Sequence, residues 1–293
     1  MREFGHFLAI DWSGARGERQ KGIALAVAHG DGGPPVLVDQ PPRGWSREEV
    51  LAILLDLPEN TLVGMDLGIA LPFGDCGAFF PDWHESPADA QALWSLIDDI
   101  CSADPHLECG SFLTHPEAAR YFRHSKDKVG DRFHLDNAPT REGRFRTAEN
   151  AQRGLGVRPV SNFNLVGAAQ VGKSSLTGMR MLNRLRGAVS VWPIDPLPET
   201  GSVLVEIYTS IAAKEAGVGS NRSKIRSYED LNFALSTWDV PPVPGKGPIS
   251  DHASDALLTA AWLREVAHDQ VRWKPRGLND EIARTEGWTF GAV

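Results

Sequence analysis

The sequence has few cysteines and no long apolar run. Its 293 residues include 3 Cys, 3 Tyr and 4 Met. The sparse, odd-numbered set of cysteines argues against a disulfide framework and suits a reducing compartment. The longest apolar stretches, such as residues 23–28, are far shorter than the ~20 residues that a bilayer-spanning helix needs. We therefore expect no membrane partner.

The sequence also lacks an excess of positive charge, an internal repeat and an apolar leader with a cleavage site. It has 30 Lys+Arg against 38 Asp+Glu, a formal net charge of −8. This acidic balance disfavours a broad basic surface, and the missing leader predicts a cytoplasmic protein. With 42% apolar and 23% charged residues, the composition is typical of a packed globular chain of one large domain or two.

The first 72 residues have the alternating pattern of an α/β chain. Short apolar runs end at Asp11 and at Asp66, as expected for strands that are buried on both faces of a sheet. Ser46 and Glu49 form a capping box, which predicts that a helix begins there, between these two strands. The pattern predicts the order strand, strand, strand, helix, strand. The predicted strands are residues 7–10, 22–28, 36–38 and 61–65.

Residues 73–187 interrupt this pattern with proline, glycine and aromatic side chains, and we interpret them as a large, loop-rich insertion with helices. The insertion is basic, because 14 Lys+Arg and 5 Asp+Glu lie between Arg120 and Arg186. The core is expected to consist of residues 1–72 and 188–293. In its second part, the sequence predicts strands at 188–192 and 203–208 and a helix at 251–267.

Acidic side chains follow the predicted strands and open the last predicted helix. Ligand sites in open α/β sheets lie at the carboxyl ends of strands, where Asp11 and Asp66 fall. Asp251 and Asp255 share a helix face at i,i+4, and His252 faces Asp255 at i,i+3. Crowded carboxylates repel one another unless they are protonated or neutralised by a cation. Oxygen ligands suit Mg²⁺ or Mn²⁺, and such ions activate phosphodiester bonds.

Each acid also has a simpler structural interpretation. An aspartate directly after a strand commonly serves a turn or a cap, and Asp251 could be only the N-cap of the last helix. Glu206, inside the strand predicted at 203–208, could be a paired strand carboxylate. The ordered set points to a site more strongly than any single residue does.

Several segments carry a resemblance to known families. The last helix, at residues 252–257, is similar to the final catalytic helix of Holliday-junction resolvases. Four segments, in order along the chain, resemble a family of predicted nucleases of unknown function with an RNase H-like fold, and residues 286–291 resemble it too. The four segments are Ile-Asp-Trp-Ser-Gly at 10–14, Gly-Met-Asp-Leu-Gly-Ile-Ala-Leu-Pro at 64–72, Val-Glu-Ile-Tyr at 205–208 and Asp-His-Ala-Ser-Asp-Ala-Leu at 251–257.

The resemblance implies an RNase H-like mixed sheet flanked by helices, with metal-dependent phosphodiester hydrolysis at its acids. Asp11 and Asp66 would hold Mg²⁺ or Mn²⁺, and Asp255 with Asp251 or His252 would complete the ligand set. His252 could instead protonate a leaving group, and Glu206 is a further catalytic candidate. The alternative from a different class is a non-catalytic module on the same fold that binds nucleic acid or a partner protein.

The basic insertion supplies candidate substrate contacts. Arg144 and Arg146 lie in its densest part and could track a phosphate backbone, or they could belong to a solvated charged surface. Ser13, after the first strand, is a further candidate contact. The expected partner is nucleic acid or a small phosphorylated molecule. The other basic and aromatic candidates are Arg141, Arg153, Arg158, Tyr121, Phe122 and Phe133.

Residues 167–174 match the phosphate-loop pattern G-x-x-x-x-G-K-[ST]. A phosphate loop needs a buried strand before it and a helix after it. The preceding residues 164–166 are too short and polar-flanked for such a strand, and Gly178 weakens the following helix. The family that this chain resembles has a Gly-rich segment here without a required lysine, which implies a substrate-facing loop in which Lys173 and Ser174 contact substrate. A phosphate-loop NTPase acting through residues 167–174 is the alternative function.

Two further patterns have competing interpretations. Sugar-kinase and actin-like ATPases also begin with a strand, an aspartate and a glycine-containing turn, but they need a duplicated fold. Cys101, His106, Cys109 and His115 form a C-x4-H-x2-C-x5-H pattern that departs from the usual zinc-finger spacings. We expect core cysteines and loop histidines there.

Overall fold

The computed structural model describes residues 2–134, 142–167, 170–218 and 224–293. Its strands are β1 (His6–Asp11), β2 (Ala24–His29), β3 (Gly32–Leu37), β4 (Thr61–Met65), β5 (Ser190–Trp192) and β6 (Val203–Glu206). Its helices are α1 (Arg47–Leu55), α2 (Ala90–Ile100), α3 (Gly110–Thr114), α4 (Thr147–Gly154), α5 (Val171–Leu185), α6 (Thr209–Glu215), α7 (Tyr228–Leu235), α8 (Asp251–Val266), α9 (Gln270–Trp273) and α10 (Asp280–Thr285).

The strands form one mixed sheet in the order β3-β2-β1-β4-β6-β5, so the predicted α/β class is confirmed. β2 is antiparallel to both β1 and β3, whereas β1, β4, β6 and β5 run parallel to one another. The order strand, strand, strand, helix, strand is also confirmed. β3 begins before the predicted residue 36 and includes Pro34 and Pro35. It tolerates these prolines because an edge strand needs hydrogen-bond donors on one side only.

Each face of the sheet has its own hydrophobic core, as the two-residue alternation of strands requires. Leu8 and Ile10 of β1 pack on the face that α1, α2 and α5 cover. Phe7 and Ala9 pack on the other face, against α6, α7 and α8. By the same alternation, Asp11 at the end of β1 projects toward the face of α8.

The segment 73–187 contributes directly to this architecture. Its helices α2 and α5 share one apolar cluster with the sheet, so within the described ranges the predicted insertion has no core separate from the sheet. α5 is continuous through Gly178, contrary to expectation. A Cβ atom at Gly178 would lie 2.5 Å from Leu67 Cδ2. This glycine therefore lets α5 pack tightly against the loop that follows Asp66.

The cysteines predicted to be core residues are buried. Cys101 and Cys109 lie in the apolar cluster beneath α2, and burial raises the pKa of the Cys101 thiol to about 12 and that of Cys109 to about 11. Their burial in this apolar cluster favours the neutral thiol, as expected for core cysteines. His115 stacks on Trp83. In the ranges that the structure describes, no helix is long and apolar enough to span a membrane.

Candidate functional site

A cavity of about 470 Å³ opens where β1, β4 and β6 end, beside the first turns of α5, α6 and α8. Its walls carry more acidic than basic side chains. The basic residues are Arg146 and Lys224. The acidic residues are Asp11, Asp66, Glu149, Glu206, Asp251 and Asp255.

Two of the predicted carboxylates lie side by side because of the sheet register. Ile10 pairs with Met65 in the parallel ladder between β1 and β4, and the backbone N–H of Asp66 donates to the Ile10 carbonyl at 2.9 Å. Asp11 and Asp66 therefore follow paired residues, on adjacent strands about 5 Å apart. Both project toward α8, which brings Asp255 from its second turn.

Burial raises the pKa of all three carboxylates, and neighbouring acids raise those of Asp66 and Asp255 further. Burial, followed by the charges of Asp11, Asp255 and Glu206, raises the pKa of Asp66 well above its usual value. Burial and the charge of Asp11 raise the pKa of Asp255 to about 7. Burial also raises the pKa of Asp11, although the hydrogen bond with His252 opposes this. Full ionisation of all three at neutral pH therefore needs an additional positive charge.

His252 is held at the edge of this group. Its Nδ1 lies 2.6 Å from Asp11 Oδ2, while about half of its side chain is exposed. The hydrogen bond with Asp11 raises the pKa of the imidazole and so favours its protonated form. The predicted proximity of His252 and Asp255 on one helix agrees with the effect of each charge on the other's pKa.

Asp251 differs from the other predicted ligands because it has basic partners of its own. Lys224 Nζ lies 2.5 Å from Asp251 Oδ2, and this hydrogen bond lowers the pKa of the carboxyl. Asp251 is also not the N-cap of α8. The cap is Ser250, whose hydroxyl accepts a hydrogen bond from the Ala253 N–H at 3.2 Å.

Glu206 lies on the opposite face of the sheet from Asp11 and Asp66. It shares the face of Leu204, and Arg146 binds both of its carboxylate oxygens, at 2.7 and 2.5 Å. Glu206 also accepts hydrogen bonds from the Ile69 N–H, at 2.8 Å, and from the Thr289 hydroxyl. The structure therefore places Glu206 in a buried ion pair with Arg146. This agrees with the simpler interpretation of Glu206 as a paired strand carboxylate.

The structure corrects the placement of Arg144 and Arg146 on a solvated, phosphate-tracking surface. Both guanidinium groups are 1% exposed. Arg144 binds Asp75 and the carbonyls of residues 72, 78 and 79, away from the cavity, and Arg146 binds Glu149 and Glu206. These contacts occupy the donors that a phosphate would need. Arg141 lies outside the described residues.

The other predicted substrate contacts divide between cavity and surface. Ser13 and Ser174 line the cavity, and the Gly14 N–H donates to Ser174 Oγ at 3.2 Å. A Cβ atom at Gly14 would lie 2.3 Å from the Lys173 carbonyl carbon, so only glycine lets this loop rest on the first turn of α5. Lys173 Nζ instead donates to Gln170 Oε1 at 3.0 Å, and the side chain does not line the cavity.

The phosphate-loop interpretation lacks its strand. Residues 142–167, described without a gap, contribute no strand to the sheet before α5. The backbone N–H groups of residues 172–174 donate to the carbonyls of Asn164 and Gln170, so they are not free to surround a phosphate. Ala168 and Ala169 lie outside the described residues.

We expect Lys173→Ala to leave divalent-cation binding at the acids unchanged, because the Lys173 ammonium contacts Gln170 rather than the cavity. We also expect ATP to produce no rise in the melting temperature of the wild type. Thermal scans of both proteins with and without ATP would check this. An ATP-dependent stabilisation that disappears in Lys173→Ala would establish a nucleotide-binding loop instead.

The cavity residues that the sequence analysis did not select include Tyr208, Thr209 and Lys224. Thr209 Oγ1 lies 3.5 Å from Asp66 Oδ2, so it is the nearest hydroxyl to the acids. Tyr208 and Thr209 lie two and three residues after the end of β6, near the strand end as Asp11 and Asp66 are near theirs. The same strand-end rule could have selected them if the pairing of β6 with β4 had been known.

The raised pKa values predict a pH-dependent stability. Asp255 binds a proton up to about pH 7 in the folded protein but only up to its ordinary pKa of 3.8 when unfolded. The free energy of unfolding therefore decreases as pH rises from 4 to 7, and the cost persists above pH 7. In metal-free buffer, Asp255→Asn should raise the melting temperature at pH 8 by about 2–8 °C, after allowance for solvent screening, and should change it little at pH 4.

Asp31→Asn is the matched control for this measurement, because Asp31 is an exposed residue of the turn between β2 and β3. Its effect on the melting temperature should be small at both pH values. A stability gain of Asp255→Asn that is equal at pH 4 and pH 8 would show that carboxylate repulsion is not its cause.

No family model, curated protein or solved structure matches this chain. Within the described residues, no group of three or more His, Cys, Asp or Glu side chains is arranged, as it stands, to hold a metal ion. Asp11 and Asp251 are engaged with His252 and Lys224 respectively. The assignment of a function therefore depends on the chemistry of the cavity.

Proposed function

We propose that this protein hydrolyses phosphodiester bonds in nucleic acid or in a smaller phosphorylated molecule, with Mg²⁺ or Mn²⁺ held by Asp11, Asp66 and Asp255. The observation that carries this proposal is the convergence of three carboxylates of which, among the described residues, only Asp11 has a basic partner, the half-exposed His252. Each basic side chain of the cavity has another carboxylate partner: Arg146 pairs with Glu206, and Lys224 with Asp251.

The donor chemistry of the cavity fits a hard divalent cation. Its three converging acids supply oxygen ligands, and the raised pKa of each shows that this environment disfavours the ionised carboxylate. A bound divalent cation would neutralise this charge, activate water and stabilise the charge that develops on a phosphoryl group. Transition-metal ligation through cysteine is not available, because no cysteine lines the cavity.

The topology supports the same proposal. β1 to β3 form an antiparallel meander, α1 follows, and β4 then pairs parallel to β1. We propose that this arrangement is RNase H-like, with Asp11 at the end of the first strand, Asp66 after the strand beside it and Asp255 on the last long helix.

His252 is the residue of the site best placed to move a proton. Asp11 fixes its Nδ1, and the exposed ring leaves Nε2 available to donate a proton to a leaving oxygen. Thr209 and Ser13 can donate hydrogen bonds to substrate oxygens at the cavity wall. Neither Arg144 nor Arg146 is assigned a substrate contact, because both are buried in ion pairs.

The first experiment is a calorimetric titration of the wild type with Mn²⁺, followed by Mn²⁺-dependent cleavage assays on a labelled oligonucleotide and on bis(p-nitrophenyl) phosphate. We expect cation binding and cleavage that chelation with EDTA abolishes. Cation binding and oligonucleotide binding without turnover of either substrate would favour the non-catalytic module. Absence of divalent-cation binding would contradict the proposed site.

A further inference from the structure

The cavity has an apolar side as well as an acidic one. Along the edge of the sheet, β1, β4 and β6 are consecutive neighbours, so the acids at the ends of β1 and β4 are followed by Ile207 and Tyr208 at the end of β6. Ala213, one helical turn after Thr209 on α6, faces the same cavity. The side remote from Asp11 is therefore formed by carbon-rich side chains.

A second chain segment extends this apolar side. The Tyr208 hydroxyl donates to the Arg158 carbonyl at 3.3 Å, which places residues 158–160 against the tyrosine. Pro159 and Val160 line the cavity, and Val160 remains 41% exposed. We call Tyr208, Pro159 and Val160 the apolar wall. The Tyr208 ring is held at one end by this hydrogen bond, packs against the apolar core of the α8 face and is only partly buried, so that it also lines the cavity.

The apolar wall adjoins the acids, because the residue that follows Tyr208 of the wall contacts one of the carboxylates. Thr209, which directly follows Tyr208, contacts Asp66. A molecule that places a charged group at the acids therefore places its neighbouring group on the wall. The cavity volume of about 470 Å³ is within the range that accommodates a small organic ligand.

We propose that the apolar wall is a nucleobase subsite and that the substrate is presented as an unpaired nucleotide. This inference rests on the proposed function only for the position of the phosphate. A planar base can stack on the tyrosine ring and contact Val160 and Pro159 without sequence-specific hydrogen bonds. A base inside a duplex would first have to leave its stack, so single-stranded substrates bind more tightly than duplexes of the same sequence.

The charges of the site favour this assignment over a duplex lying across a basic surface. The basic side chains at the cavity are committed to carboxylates, and several arginines of the predicted basic stretch are also paired, including Arg120 with Asp131, Arg132 with Asp82 and Arg180 with Asp98. The lysine and arginine that line the cavity are therefore not free to track a phosphate backbone past the acids. Recognition by base stacking needs no such track.

The first arm of the test is independent of metal. Saturation-transfer NMR would compare adenosine with ribose, in metal-free buffer, for the wild type and three variants. We expect saturation of adenosine but not of ribose in the wild type, in Tyr208→Phe and in Phe233→Ala. Phe233 is an aromatic control, 78% exposed on α7 and outside the cavity. Val160→Glu should abolish the adenosine signal by placing a charge on the wall.

The second arm adds the phosphate. With saturating Mn²⁺, calorimetry would compare adenosine 5′-monophosphate with ribose 5-phosphate. Because stacking contributes a factor of about 5 to 100 in affinity, the nucleotide should bind more tightly by that factor, and Tyr208→Ala and Val160→Glu should both reduce the difference. A single-stranded oligonucleotide should likewise bind more tightly than its duplex.

The outcomes separate the two proposals. Adenosine binding that Val160→Glu removes, without any Mn²⁺ binding, would support the base subsite and contradict the proposed metal site. Mn²⁺ binding with equal affinities for the nucleotide and the sugar phosphate, and no adenosine signal, would overturn the base subsite alone. A nucleotide preference that both wall variants retain would also overturn it.

Discussion

Replacing Asp66 with asparagine is expected to abolish divalent-cation binding and to lower phosphodiester cleavage by more than about 100-fold. Loss of a hydrogen-bond partner outside a coordination shell already costs about 10- to 100-fold in metal affinity or activity, and Asp66 would be a direct ligand. Asp66 is the position chosen for the test because it is fully enclosed beside Asp11 and Asp255, whose charges, together with burial, raise its pKa well above its usual value. Calorimetry with Mn²⁺ and the two cleavage assays would measure the effect.

The loss should not come from unfolding. In metal-free buffer at pH 8, Asp66→Asn removes one of several repelling carboxylates, so its melting temperature should equal or exceed that of the wild type. Asp251→Asn tests whether Asp251 is also a cation ligand, because Lys224 already neutralises this carboxylate. We expect a much smaller loss for Asp251→Asn than for Asp66→Asn. Undiminished cation affinity in Asp66→Asn would disprove the shared site.

Replacing Arg146 with alanine is expected to destabilise the fold by about 3–5 kcal/mol, because breaking a buried ion pair leaves its partners uncompensated. Here two carboxylates would lose their partner, Glu149 and Glu206, which are 4% and 3% exposed. Arg146 also donates to the Glu286 carbonyl at 3.0 Å, so the change would remove one of the hydrogen bonds between the start of α4 and the C-terminal segment. Thermal unfolding should show a melting temperature lower by about 6–20 °C.

Arg132→Ala is the matched control. Arg132 forms an ion pair with Asp82, but the two side chains are 32% and 70% exposed, and exposed pairs contribute at most about 1 kcal/mol. Its melting temperature should therefore stay within a few degrees of the wild type. A stable Arg146→Ala protein that has lost only oligonucleotide binding would restore the sequence-based interpretation of Arg146 as a substrate contact.

Local patterns in the sequence were sufficient for much of the sheet. The apolar run at residues 61–65 coincides with β4, and the capping box of Ser46 and Glu49 is present at the start of α1. The last long helix, predicted at 251–267, is observed as α8 (Asp251–Val266). These features depend on hydrophobic periodicity and on hydrogen bonds between residues three or four positions apart, so a short window of sequence contains the information.

Distant contacts were not predictable in the same way. α5 was missed because Gly178 lowers helix propensity locally, whereas its role is to admit Leu67, more than 100 positions earlier in the chain. The face on which Glu206 lies depends on the register of β6 against β4, since a shift of one residue moves a side chain to the opposite face.

The sequence by itself determined the α/β class, the strand ends that carry Asp11 and Asp66 and the helix that carries His252 and Asp255. The tertiary structure decided which charges are neutralised. Arg146 pairs with Glu206, 60 positions away in the sequence, and Lys224 pairs with Asp251, 27 positions away. It also decided that Tyr208 and Val160 face the acids. The physical reason is that ion pairing and burial depend on distances through space, which the spacing of residues along a chain does not specify.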